Sequence, residues 1–203
     1  MNVSNVQFVF AAITPIVEAF EQLGINYHIG GSVASSIYGI IRATIDADLV
    51  AELRLEQARP LVRLLETDYY IDEDAVKDAI RRRSSFNTIH LDTMLKVDVF
   101  IPKTRLFDQE ELHRTQLQTL IEGTRPFYVA SPEGTILNKL EWYRIGNEVS
   151  DRQWNDILGV LKVQGTSLDM DYLQRWAAVL QVGDLLERAL MDAGLREDEE
   201  GLK

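Results

Sequence analysis

Residues 26–51 read NYHIGGSVASSIYGIIRATIDADLVA, and no other stretch of the chain restricts its fold as tightly. Asn26 to Ile29 is a short strand that ends on two glycines. Ser32 then stands where it can cap a helix carrying Val33, Ile37 and Ile40. Arg42 to Thr44 is a connection, and Ile45 to Ala51 reads as a second strand. Side chains two residues apart on a strand share a face, so Asp46 and Asp48 project together while Ala47 and Leu49 turn to a core.

The flanking sequence builds outward from that unit. Apolar residues recur at helical spacing from Val6 to Leu23, and Gly24 closes the run as a residue just past a helix end does. Glu56 to Glu66 and Asp74 to Arg82 are two further helices. Phe86 to Leu91 and Met94 to Ile101 are neighbouring strands joined at Asp92-Thr93, and the second has an apolar face and a face carrying Asp98. Phe107 to Arg114 is helical, and Gln116 to Ile121 pairs with Pro126 to Ala130 around Glu122-Gly123. Beyond Ser131 the signals are helical throughout. Ser131-Pro132-Glu133 is a cap followed by proline, Ser150 and Gln153 form a capping box, Ser167 or Asp169 starts a third helix, and Asp184 to Ala193 is a fourth.

Composition narrows the function. The chain has 203 residues, 46% of them hydrophobic, enough for a real core. It has no cysteine, which excludes disulfides, thiolate metal sites and cysteine nucleophiles and fits a cytoplasmic protein. No segment reaches the roughly 18 apolar residues that a membrane span needs, so no membrane partner is expected. With 21 Lys and Arg against 32 Asp and Glu, the net charge of -11 disfavours broad binding to a phosphate backbone. A small anionic ligand or a local RNA contact is still allowed.

Two adjacent carboxylates repel each other, and a hard cation relieves them. Magnesium takes one or two carboxylates and completes its octahedron with water and phosphate oxygens. Asp98 adds a third acid, which is what a two-metal site for in-line phosphoryl displacement requires. Gly30-Gly31-Ser32 supplies a matching phosphate cradle, because glycines allow close backbone approach and a helix start offers unpaired N–H groups. Each feature alone has a plainer reading: a solvated Asp-x-Asp, a polar residue on the wet face of a sheet, a tight turn. Their order along the chain makes the joint reading the better one.

That order, Gly-Gly-Ser, helix, Asp-x-Asp, then Val97-Asp98-Val99, resembles the DNA polymerase beta-type nucleotidyltransferase superfamily. YGIIRATIDADLV, with Lys139 in ILNKLEWYR and Asp156 in DRQWNDIL, resembles most its bacterial branch of abortive-infection type IV toxins. The resemblance implies an α+β fold: a small mixed β-sheet with flanking helices, residues 1–130, as the catalytic domain. A C-terminal helical bundle, residues 131–203, would follow and close a nucleotide cleft. It implies magnesium-dependent transfer of a nucleoside monophosphate from a nucleoside triphosphate (NTP) to an acceptor hydroxyl, with pyrophosphate released. Asp46 and Asp48 would hold two magnesium ions; Asp98 would bind the catalytic one and help to deprotonate the acceptor. Gly30, Gly31 and Ser32 would hold the triphosphate, and Lys139 would reach a phosphate. The acceptor would be a tRNA end, a protein hydroxyl or a small molecule such as an aminoglycoside, and a toxin would bring an antitoxin partner.

Other residues are open to two readings. Arg42 and Thr44 flank the carboxylate strand and are placed to orient the acids or touch a phosphate, although a loop arginine is commonly just solvated. Lys139 is equally a solvated residue beside the Ile136, Leu140, Tyr143 face, and Asp156, four residues after Arg152, has the spacing of a surface ion pair. Arg81-Arg82-Arg83 is either a guide for an anion or a solvated helix end. His28, His90 and His113 lack zinc spacing. Trp142, Trp154 and Trp176 read as core or helix interface. The competing functions are a catalytically inactive nucleotide- or partner-binding protein on the same fold, and a helical protein whose acidic surface binds a basic partner.

Overall fold

The computed structural model describes residues 3–42, 44 and 46–196. The chain begins with helix α1 (Val3–Gln22), strand β1 (Tyr27–Ile29), helix α2 (Gly31–Tyr38) and strand β2 (Asp46–Ala51). Next come α3 (Leu55–Leu65), β3 (Tyr69–Tyr70), α4 (Glu73–Arg82), β4 (Ser85–His90) and β5 (Lys96–Phe100). Helix α5 (Leu106–His113) precedes β6 (Gln116–Thr119) and β7 (Pro126–Val129). Four helices complete it: α6 (Pro132–Ile145), α7 (Asp151–Gln164), α8 (Met170–Val179) and α9 (Gly183–Asp192). Two compact units emerge, Met1–Val33 with Arg42–Ala130, and Ala34–Ile41 with Ser131–Lys203, so the division falls inside α2.

In the first unit the strands form one mixed sheet of seven, in the order β3-β4-β5-β2-β1-β7-β6. β2 runs parallel to β5, and β1 runs parallel to β7; the other neighbours are antiparallel. α1 packs on α3 and β2 through Val9, Ile13, Ile16, Val17 and Phe20, all buried. On β2 and β5 alternation does the sorting: Ala47, Leu49, Val97 and Val99 are fully buried, and the intervening residues are partly open. The Asp92-Thr93 turn is closed by Met94, whose φ is +55°, and by its N–H donating to the His90 carbonyl at 2.8 Å.

The helical unit is built by its caps. The hydroxyls of Ser131 and Ser150 accept from the N–H groups of Gly134 and Gln153, and the Asp169 carboxylate accepts from that of Tyr172, where the sequence put the helix starts. α6 packs on α7 and α8, and α9 packs on α7 and α8. The 34–41 segment is fixed to α7: Gln164 donates to the Tyr38 carbonyl at 2.8 Å. Gly39 approaches so closely that a Cβ there would lie 2.7 Å from the Val160 nitrogen. Trp176 is buried as expected, but Trp142 is half-exposed, and Trp154 stacks under Arg188, whose guanidinium carbon is 4.0 Å from its ring centre.

Candidate active site

The parallel pairing of β2 with β5 decides the geometry. Its register sets Asp48 beside Asp98 and Asp46 beside Lys96, so all four side chains leave the same face of the sheet, opposite Leu49, Val97 and Val99. Adjacent strands lie about 4.8 Å apart, near enough for Asp48 and Asp98 to share one cation. Both are partly buried. β5 enters the site beside β2 because β4 and β5 form a hairpin whose outer member, β4, pairs with β3.

Gly31 stands against Asp48. Its φ is +53°, and a Cβ there would lie 1.8 Å from Oδ2, 2.6 Å from Cγ and 2.8 Å from Cβ of Asp48. Only glycine leaves room for that carboxylate at the start of α2. Gly30 ties the same turn to the strand, its N–H donating to the Asp48 carbonyl at 2.9 Å. Helix α2 begins at Gly31, so Ser32 lies in its first turn rather than capping it from outside. The Ser32 hydroxyl instead accepts from Arg42 Nη2 at 2.6 Å, which brings Arg42 to the helix start. Thr44 is buried, and its hydroxyl lies 2.9 Å from both the backbone oxygen and Oδ1 of Asp46. Ile45, read as the first residue of the strand, lies outside the described residues.

Lys96 is the residue that sequence reading passed over. Its Nζ is 2.7 Å from Asp98 Oδ2. The hydrogen bond to Asp98 is the largest effect on its ammonium pKa, and with the charges of Asp98, Asp46 and Asp48 it outweighs burial and raises that pKa above the ordinary lysine value. The signal was present in Lys96-Val-Asp98, the same i, i+2 spacing that placed Asp46 with Asp48.

Lys139 and Asp156 belong to the helical unit. Both are buried, and Nζ donates to Asp156 Oδ2 at 2.9 Å. Lys139 is thus no solvated neighbour of the Ile136 face, and Asp156 is no surface partner of Arg152; the packing of two helices brings together residues 17 apart in sequence. Arg82 pairs with Asp78, and Arg83 donates to the Pro102 carbonyl, so the arginine run is engaged locally.

Asp46, Asp48 and Asp98 offer hard carboxylate oxygens, the donor type magnesium prefers, and it needs only one or two of them beside water and phosphate. Among the described residues, no three His, Asp or Glu side chains are placed to hold one ion as they stand. Thr44 occupies one oxygen of Asp46, and Lys96 one of Asp98. By donor chemistry the set suits the ion, and each of the three carboxylates already has a partner within the protein. No helix among the described residues is long and apolar enough to cross a membrane.

No protein-family model matches the chain, and no curated protein sequence matches it. Solved structures do. The solution structure of the antibiotic-resistance factor ANT(2″)-Ia aligns with a TM-score of 0.53 at 16% identity, covering 95% of this chain and 97% of its own. A crystal structure of ANT(2″)-Ia in complex with adenylyl-2″-tobramycin aligns at 0.55 and 14%, covering 84% and 95%. An antigenic nucleotidyltransferase-like protein from Paracoccidioides brasiliensis aligns at 0.55 and 16%, covering 94% of each chain. The chain shares its fold with these proteins. At these identities the likeness carries the fold and not the substrate.

Proposed function

We propose that the chain is a magnesium-dependent nucleotidyltransferase that moves a nucleoside monophosphate from an NTP to an acceptor hydroxyl and releases pyrophosphate. One observation carries the reading: the β2–β5 register that sets Asp98 beside Asp48, with Gly31 cut back to admit the Asp48 carboxylate. Asp46 and Asp48 would hold two magnesium ions, and Asp98 would bind one of them and take the acceptor proton. Bound there, the ions would neutralise the triphosphate and lower the pKa of the attacking hydroxyl. The Gly30-Gly31 backbone, Ser32 and the Arg42 guanidinium beside it would bind the triphosphate, supported by the helix start at α2.

The net charge of -11 favours a small cationic acceptor over a polyanion. An aminoglycoside-like polyamine fits that charge, and ANT(2″)-Ia, of the same fold, has been solved with an adenylylated one. Toxin-like transfer to tRNA or protein, checked by an antitoxin, rests on the resemblance of YGIIRATIDADLV and is the second reading, as is a cytoplasmic location. Incubation with each labelled NTP, magnesium, an aminoglycoside panel, total tRNA and a protein extract separates the acceptors. Wild type should label one class and release pyrophosphate; Asp46→Ala and Asp98→Ala should each fall by about 10²-fold or more. Triphosphate binding without pyrophosphate release would favour an inactive binding protein, and no magnesium-dependent binding would refute the proposal.

A further inference from the structure

Like charges on neighbouring strands destabilise a sheet unless something neutralises them. Here that something is part of the chain. Lys96 lies in register with Asp46 and two residues before Asp98, and its Nζ bonds Asp98 Oδ2 at 2.7 Å. We propose that Lys96 is a tethered counter-ion that competes with the divalent cation for Asp98, so that releasing Lys96 sets the affinity of the site for metal. This deepens the reading above and rests on it.

Three observations support the competition. An ammonium and a magnesium ion both seek carboxylate oxygens, and Oδ2 of Asp98 is already engaged by the first. Alternation gives Lys96 no apolar role, since the residues that flank it in sequence, Leu95 and Val97, are buried in the core. Lys96 is also partly open, with 44% of its side chain exposed against 19% for Asp98, so its ammonium has solvent to move into when it lets go. Competition of this kind would keep the site from closing on a lone ion and favour a cation that arrives with a triphosphate, whose phosphates supply the ligands Lys96 withholds.

The test is calorimetric titration of chelator-treated protein with manganese or magnesium, first alone and then with a non-hydrolysable NTP analogue. The proteins are wild type, Lys96→Met, Lys96→Arg and Asp98→Asn. Lys96→Met should bind the lone cation about tenfold tighter than wild type, and the analogue should strengthen metal binding less in the variant than in wild type. Lys96→Arg keeps the charge and should stay near wild type, which separates loss of charge from a packing defect. Metal binding that is unchanged in Lys96→Met but lost in Asp98→Asn would overturn the counter-ion role and leave the metal site standing. Absence of metal binding in every protein, with or without the analogue, would overturn both.

Discussion

Gly30 and Gly31 are chemically identical neighbours in very different positions, and replacing each with alanine tests the site geometry sharply. At Gly31 the φ of +53° costs an alanine about 1–2 kcal/mol by itself. The new Cβ would also meet Asp48. Oδ2 at 1.8 Å could swing away by rotation about the side-chain bonds, but Asp48 Cβ at 2.8 Å is fixed to β2, so the turn or the strand must shift. Gly31→Ala should lose about 2–4 kcal/mol, the backbone cost plus an overpacking cost of about 1–3 kcal/mol in part relieved by movement. Gly30 has nothing within 4 Å of its virtual Cβ and no left-handed φ, so Gly30→Ala should stay within about 0.5 kcal/mol of wild type. Urea denaturation followed by circular dichroism measures both. A displacement of Asp48 approaching 1 Å should also cost pyrophosphate release about 10²-fold in Gly31→Ala alone. If the two variants match each other in midpoint and in turnover, the contact between Gly31 and Asp48 does not exist as described.

Burial of His28, which is 1% exposed with no partner for Nδ1 among the described residues, pushes its imidazole down from 6.5 to about 4. The unfolded chain then binds the proton more readily, so this contribution is complete above pH 6.5 and lost as the pH falls toward 4. It amounts to about 3 kcal/mol, and denaturation midpoints across that range should show a slope that His28→Leu lacks. Lys139→Met removes the ammonium from the buried Asp156 carboxylate and should destabilise by about 3–5 kcal/mol, whereas Lys139→Met with Asp156→Leu should recover most of the loss on thermal unfolding. Gly39→Ala drives a Cβ to 2.7 Å from Val160 nitrogen and 2.9 Å from the Ser35 carbonyl, both backbone atoms, and should cost about 1–3 kcal/mol in the same assay.

Elements with a local signature were legible, and those made by pairing at a distance were not. The caps at Ser131, Ser150 and Asp169 and the alternation of Leu95 to Ile101 predict their helices and strand because the causes lie within a few residues. Strand β3 has only Tyr69 and Tyr70; it exists because β4 offers His90 and Ile89 to pair with, and two residues show no period. The Lys139–Asp156 pair joins α6 to α7, so neither helix predicts it alone. Gly31 announces a turn in sequence, but its contact with Asp48 depends on how β2 returns beside β1. Alternation alone left the orientation of Asp98 one slip of register from the opposite face. The β2–β5 pairing settles which face it takes.

The cost of that face is itself informative. Aspartate is disfavoured in strands, and β2 and β5 lie in the middle of the sheet, where β-branched residues would pack better. Asp48 directly beside Asp98 adds like-charge repulsion at a position where Leu49 beside Val99, one residue along, shows what the fold prefers. Nearby groups offset part of this: Lys96 on Asp98, the Thr44 hydroxyl on Asp46, and Gly31, whose lack of a side chain leaves room for Asp48. Each compensation serves the carboxylates and none serves the core. Local rules broken together on one face are what the proposed site would require of the sheet.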